Sequence, residues 1–180
     1  LADKLYRRNP AEWRRNGQAS RDAALDQLAG AIRQQQAPAS LRGQRDTAAL
    51  ALALTPDFSG DRVAAFIYAN ADMLVTAHGG KTSFHLLDSL EPQHLYNAAR
   101  NMETACWLLA TRRNVAGQPL LLADEINERE RNLSFEREFG KIVGRLDLLA
   151  VYLTEKYRRA AIGYVQSLVG GQFLQFLPVR

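Results

Sequence analysis

The sequence contains a single cysteine, Cys106, among its 180 residues. One cysteine excludes a disulfide within the chain and any metal cluster that is held by several thiolates. Cys106 lies in an apolar stretch, between Ala105 and Trp107, which predicts a small buried side chain rather than a reactive thiol. We therefore assign Cys106 to the core.

Long apolar runs are also missing. The apolar stretches are interrupted by polar residues or are far shorter than the roughly 20 residues that a membrane-spanning helix requires. A composition of 47% hydrophobic and 23% charged residues is typical of a folded chain, and 180 residues suit one domain. We therefore expect a single domain over residues 1–180 and no transmembrane helix.

Sequence signatures of catalysis and of nucleic-acid binding are absent as well. No Gly-x-Ser-x-Gly elbow and no His-Glu-x-x-His pair occurs. Gly80, Lys81 and Thr82 match the end of a phosphate-binding loop, but Val75 stands where that loop needs a glycine. No helix is dense in Lys, Arg and Asn, so we expect no nucleic-acid partner. The sequence favours a protein that is not an enzyme, with no catalytic residues, no metal and no cofactor.

Helical patterns account for most of the chain. Apolar residues recur at helical spacing after Ser20, which can cap a helix over residues 20–35. Asp61 opens a second helix that ends near Ala77, and Pro92 suits the first turn of a third. The predicted fold class is therefore all-α, a single-domain bundle of about five to six helices.

The last third of the chain predicts one unusually long C-terminal helix. Apolar residues recur at helical spacing from about Leu133 to Leu168. Gly140 and Gly144 fall on one face of this helix, which favours close approach by another helix. Residues 170–180 form an apolar tail that should either pack back on the bundle or bind a partner.

Charged and imidazole side chains cluster around the segment 78–94. The histidines are separated by seven and nine positions, spacings that match no compact metal-ligand motif. They remain compatible with a pocket for a small ligand. The alternative function is therefore a small-ligand- or metal-binding protein, or an enzyme, with a pocket at this loop. The candidate ligand-binding residues are Asp72, His78, Lys81, His85, His94 and Arg100.

The two ends of the chain predict binding to a protein partner. Residues 1–16 contain Tyr6 and Trp13 among arginines and read as a docking arm, and the tail contributes Phe173 and Phe176. The leading interpretation is a non-enzymatic helical interaction or scaffold protein that binds its partner through these terminal segments, with their four aromatic residues, and through the loop 79–91. The sequence leaves the oligomeric state open.

The positive charge suggests a second alternative. The formal net charge is +4 and the pI is about 9.5. A basic surface attracts anionic partners, so peripheral binding to anionic lipid is the second alternative function. Much of the positive charge comes in arginine pairs: Arg7 and Arg8, Arg14 and Arg15, Arg112 and Arg113, Arg158 and Arg159.

Several segments resemble helical lipoproteins of the proteobacterial cell envelope, a poorly characterised group. They are Leu5-Tyr-Arg-Arg-Asn-Pro-Ala-Glu-Trp13, Ala71-Asp-Met-Leu-Val-Thr-Ala-His-Gly-Gly-Lys81, Leu95-Tyr-Asn-Ala-Ala-Arg-Asn101, Asn132-Leu-Ser-Phe-Glu-Arg137 and the Phe-Leu-Pro-Val end. The resemblance implies membrane association through a lipid-anchored cysteine upstream of Leu1. It also implies a location in the periplasm or at the inner face of the outer membrane, with the cytoplasm as the alternative. It implies no activity.

Overall fold

The computed structural model describes residues 1–81, 90–126 and 131–174, without the side chains of residues 126, 131 and 168–174. Within these residues a short 3-10 helix spans Ala39–Leu41, and two-residue strands β1 (Glu125–Ile126) and β2 (Arg131–Asn132) pair antiparallel. The all-α prediction is confirmed. The α-helices are α1 (Ala2–Arg8), α2 (Pro10–Arg15), α3 (Arg21–Arg33), α4 (Asp46–Ala53), α5 (Arg62–Ala77), α6 (Pro92–Thr111) and α7 (Ser134–Leu174).

Helix starts follow the local capping chemistry of the sequence. The Ser20 hydroxyl accepts a hydrogen bond from the backbone N–H of Ala23 at 3.1 Å, which caps α3. The Asp61 carboxylate accepts from the N–H of Ala64 at 2.9 Å and caps α5 in the same way. Pro92 occupies the first turn of α6. The three predicted helix starts are confirmed.

The core is built around α5, which packs against α1, α2, α3, α4 and α6. Its buried side chains include Phe66, whose ring meets that of Phe139 on α7 edge to face, with 6.2 Å between the ring centroids. Helices α6 and α7 run antiparallel, because Arg100 meets Asp147 while Leu90, before α6, meets Tyr157. The bundle therefore positions α7 through its first half.

The N-terminal segment is part of the bundle. Helices α1 and α2 pack on α3 and α5. Asn9, between α1 and α2, donates to the carbonyl oxygens of Leu5 at 2.8 Å and Leu122 at 2.9 Å, and its side-chain oxygen accepts from the N–H of Leu122 at 2.8 Å. These bonds tie residues 1–16 to the segment that follows α6.

Helix α7 has 41 residues and is about 60 Å long. Its first half packs on α6, and Leu153 is the last buried residue among its described side chains. The predicted close approach of a helix to Gly140 and Gly144 does not occur within the described part of the chain. Beyond the backbone of α7 itself, no heavy atom there lies within 4 Å of the place where a Cβ on either glycine would stand.

Candidate functional site

Asp72, a predicted ligand-binding residue, lies on α5 with its carboxylate almost fully buried. Both of its oxygens bind the guanidinium of Arg45, with 3.1 Å between Oδ2 and Nε, and Oδ2 also accepts from the backbone N–H of Asp46 at 3.1 Å. Burial raises the pKa of Asp72, but these hydrogen bonds outweigh it, so the pKa lies below its ordinary value. The carboxylate is engaged inside the chain, where it joins α5 to the start of α4.

His78 and Lys81 follow the last turn of α5. His78 is the C-cap residue, and its Nδ1 lies 2.7 Å from the carbonyl oxygen of Leu74, a hydrogen bond when Nδ1 carries the proton. The Lys81 side chain is exposed, and His85 lies outside the described residues. His78 thus has a helix-capping role in this structure.

His94 lies on the first turn of α6 and lines a cleft of about 270 Å³ between α4, α5 and α6. Thr76, Asn97 and Asn101 add polar groups to the cleft walls. Asp46 also lines the cleft, and its Oδ1 accepts from the Thr76 hydroxyl at 3.2 Å. Asp46 has a φ of 50°, a left-handed conformation that is uncommon outside glycine. The cleft therefore has both polar walls and apolar walls, the latter formed by Met73, Ala77 and Ala98.

Arg100 faces α7. Its guanidinium lies 2.7 Å from Oδ2 of Asp147 and 3.3 Å from Oε1 of Glu103. It also stacks over the ring of Tyr96, 5.1 Å from the ring centroid. Arg100 therefore links two helices, and it does not line the cleft beside His94.

The described members of the predicted loop pocket have separate surroundings. Asp72 pairs with Arg45, Arg100 pairs with α7, and His94 borders a cleft that neither of them lines. In the part of the chain that the structure describes, no group of three His, Cys, Asp or Glu side chains could hold a metal ion. Of the described members of the predicted pocket, only His94 lines this cleft.

The predicted N-terminal docking residues pack inward. Tyr6 is 1% exposed, and its hydroxyl donates to Oδ2 of Asp61 at 2.7 Å. Burial raises the pKa of Tyr6, and the neighbouring Asp61 carboxylate raises it further. Trp13 is partly buried against the core, with the Arg14 guanidinium 5.0 Å from its ring centroid. Tyr6 is therefore a core residue and not part of an exposed docking surface.

A buried polar cluster surrounds Asp61. Oε2 of Glu12 accepts from the backbone N–H of Arg62 at 2.8 Å, and Nε of Arg62 donates to the carbonyl oxygen of Ala53 at 3.0 Å. Burial raises the pKa of Asp61 against the hydrogen bonds that it accepts, and burial lowers the pKa of Arg62. Glu12 and Arg62 are 50 positions apart, and Tyr6 and Asp61 are 55 apart, so no local pattern could reveal the cluster.

The Cys106 thiol is half-buried on α6. Burial, together with the negative charges of Asp124 and Glu136, raises its pKa to about 11. A thiol with that pKa is overwhelmingly protonated at neutral pH. Cys106 packs against the core as a partly buried residue, whereas the sequence predicted a fully buried one.

The projecting half of α7, residues 156–174, extends beyond the bundle after Tyr157, whose hydroxyl donates to the carbonyl oxygen of Leu90 at 3.0 Å. Each of its side chains from 156 to 167 is exposed, including the large ones of Tyr157, Ile162, Tyr164 and Val165. Phe173 belongs to this half, but the structure describes only its backbone. Phe176 lies outside the described residues. The projecting half is the first of two exposed surfaces on α7.

The second surface is the outer stripe of α7, which faces away from the bundle. It consists of Gly140, Gly144, Leu148, Val151 and Tyr152. Leu148 is 71% exposed, and Val151 and Tyr152 are each 63% exposed. The pair Gly140 and Gly144 is the feature of the sequence that could have revealed this stripe. The two glycines leave open space on the exposed face of α7 and not, as predicted, at a contact with another helix of the bundle.

These features define an all-α helical bundle with one long helix that carries exposed apolar surface. No described helix is both long and apolar enough to cross a membrane. No protein-family model matches this sequence, and neither a curated protein nor a solved structure matches it.

Proposed function

We propose that this chain is a non-enzymatic interaction protein that docks partner proteins on the projecting half of α7. The observation that carries the proposal is the exposure of every side chain from 156 to 167 in a helix rich in apolar residues. Apolar surface left in water forfeits about 25 cal/mol per Å² of the stabilisation that burial provides. A docked partner would recover that free energy and support a helix segment in which Tyr157 contacts the bundle and the following described side chains are exposed.

The apolar residues of the projecting half favour a protein over a lipid surface as the partner. Tyr157, Ala161 and Tyr164 continue the stripe that is buried earlier in α7, whereas Ile162 lies on the opposite side. A helix that lies on a bilayer needs one apolar face and one polar face. Apolar side chains on two sides suit a partner that surrounds the helix, so peripheral lipid binding is the weaker alternative.

The charge of the projecting half indicates an acidic partner. Lys156, Arg158 and Arg159 lie at its start, and no acidic residue follows Glu155 in the sequence. Glu155 is itself paired with Arg158, at 2.7 Å. An acidic surface on the partner would steer association and fix its orientation.

The proposed location of the protein is the bacterial envelope, facing the periplasm. This part of the proposal rests on the resemblance to envelope lipoproteins.

Photo-crosslinking of the protein to its partners inside cells of the native host tests this proposal. A photoreactive residue at position 164, in the full-length protein, should capture a reproducible partner, whereas the same residue at position 115 should not. Val115 is also exposed, at 98%, but lies in the loop after α6. Cell fractionation of the same strain checks the envelope location.

A substitution pair gives the decisive comparison. Ile162→Ser with Val165→Ser should abolish capture without lowering the melting temperature, because both side chains are already exposed. Val115→Ser is the matched control and should leave capture unchanged. If the double variant is still crosslinked to the partner, docking on the projecting half is contradicted.

The cleft beside His94 supports a second candidate function, the binding of a small polar ligand. The left-handed backbone of Asp46 at its wall is the observation that favours it, because such strained positions cluster at binding sites. A thermal-shift screen of small polar metabolites and divalent metals should show a ligand that raises the melting temperature. The same ligand should lose its effect in His94→Ala. If no compound shifts the wild-type protein, the cleft is only a surface feature.

A further inference from the structure

The outer stripe of α7 combines two glycines with large exposed apolar side chains on one helix face. We propose that it binds α7 of a second copy of this chain, antiparallel, across a two-fold axis that crosses the stripe at the level of residue 146. This inference goes beyond partner docking, because it concerns the first half of α7 and needs no other protein.

Shape complementarity along the stripe supports an antiparallel pair. With the axis at position 146, residues equally distant from 146 meet. Gly144 and Leu148 are each two positions away, so the Leu148 side chain of one copy enters the open space over Gly144 of the other. Gly140 and Tyr152 are each six positions away, so the Tyr152 ring of one copy lies over the open space at Gly140 of the other in the same manner. Each contact occurs twice.

Two charged residues that flank the stripe are complementary in the same register. Arg137 and Glu155 both lie nine positions from 146 and on the centre line of the outward face, so each Arg137 faces a Glu155 of the other copy. Arg137 makes no ion pair within the described residues of its own chain, whereas Glu155 already binds Arg158. In a parallel pair, by contrast, Arg137 of one copy would face Arg137 of the other, and the two positive charges would repel each other. The charge pattern therefore selects the antiparallel arrangement.

The bundle packs on the side of α7 that faces away from this pairing. The buried residues of α7, such as Phe139 and Leu146, lie on the side opposite the stripe, so the two bundles would sit on the outside of the helix pair. The antiparallel arrangement also directs the two projecting halves toward opposite ends. A dimer of this kind would present two docking helices, as a bridging scaffold requires.

Sedimentation of the purified chain over a concentration series up to about 0.5 mM tests the proposal, with wild-type dimerisation as the expected result. Gly144→Leu fills the space that Leu148 needs, and it should weaken dimerisation by roughly 30-fold or more, because two overpacked contacts form at once. The monomer tolerates this change, since nothing lies within 4 Å of the added Cβ. Gly163→Leu is the matched control, in the same helix with the same open surroundings but off the stripe. It should leave dimerisation unchanged.

A charge exchange tests the register. Arg137→Glu and Glu155→Arg should each weaken dimerisation by roughly tenfold at low salt, and the double variant should restore it. Circular dichroism establishes that each variant retains its helices. A wild-type chain that stays monomeric over the whole series overturns the proposal. So does a Gly144→Leu protein that dimerises as tightly as wild type, or a double charge variant that fails to recover. Because no partner protein is present, these outcomes do not depend on whether the projecting half docks one.

Discussion

Replacing Asp72 by asparagine tests whether its carboxylate holds α4 against α5. Asp72 is 4% exposed and accepts two hydrogen bonds from Arg45 and one from the N–H of Asp46. Asparagine has nearly the same shape as aspartate but no charge. Its amide nitrogen replaces one of the two oxygens that accept hydrogen bonds from Arg45, and that nitrogen is a donor. Hydrogen bonds to charged groups contribute roughly 1.5–3 kcal/mol each. Water can solvate the released Arg45, which is 55% exposed, so we expect the free energy of unfolding to fall by about 2 kcal/mol.

The pH dependence of this effect has a definite sign. The pKa of Asp72 is lower in the folded chain than in the unfolded one, so its contribution is complete above the unfolded pKa. That contribution is lost as the pH falls through the folded pKa, which lies below the ordinary value of about 4. Wild type should therefore lose stability on acidification that Asp72→Asn does not lose. The difference between the two proteins should narrow as the solution becomes acidic.

Urea unfolding followed by circular dichroism measures both quantities. At neutral pH, a loss of about 2 kcal/mol corresponds to a melting temperature lower by about 4–8 °C for a chain of this size. Asp26→Asn, at an exposed position of α3, is the matched control and should change stability by less than about 0.5 kcal/mol. The reasoning is refuted if Asp72→Asn behaves like this control, or if its deficit stays constant on acidification.

Three further substitutions have distinct expected outcomes. Tyr6→Phe removes the hydroxyl that donates to the buried Asp61, so the free energy of unfolding should fall by roughly 1–3 kcal/mol in urea titration. Gly60→Ala places a Cβ 2.5 Å from Cβ of Ser40, which cannot rotate away, and should destabilise the chain by roughly 1–3 kcal/mol. Gly163→Ala meets nothing within 4 Å in a helix, so it should raise helix stability by up to about 1 kcal/mol or leave the melting temperature unchanged.

Controls separate these effects from general sensitivity to mutation. Tyr164→Phe removes a hydroxyl from an exposed tyrosine and should be neutral. Ser40→Gly should restore most of the stability lost in Gly60→Ala, because it removes Cβ and Oγ of Ser40, the two atoms nearest to the added Cβ. A Tyr6→Phe protein as stable as wild type would mean that the Asp61 carboxyl finds another donor. Failure of Ser40→Gly to rescue would mean that the contact with Ser40 does not cause the loss, which would leave Cζ of Phe58, 3.0 Å from the added Cβ, as the remaining contact.

Local sequence signals predicted the helices well because each signal acts over one or two turns. Ser20, Asp61 and Pro92 start their helices through hydrogen bonds or steric preferences of the adjacent backbone, which neighbouring residues fully specify. The spacing of apolar residues likewise predicted that α7 is one long helix. The all-α class could therefore be read without tertiary information.

Partners of polar side chains could not be predicted in this way. Asp72 looked available for a ligand until the fold brought Arg45 to it across 27 positions, and Tyr6 looked like a docking residue until Asp61 met it across 55. A carboxylate or a hydroxyl has the same local pattern whether it is satisfied inside the chain or free to bind.

The glycines of α7 show the same difference between what local sequence predicts and what depends on the tertiary structure. The sequence by itself determined that Gly140 and Gly144 share one face of a helix, because the helical repeat sets that geometry. Only the tertiary structure decided that this face is open, since α6 and the core cover the opposite side of α7. Helical periodicity is a property of neighbouring residues, whereas exposure depends on which distant element is packed against a face and which is not.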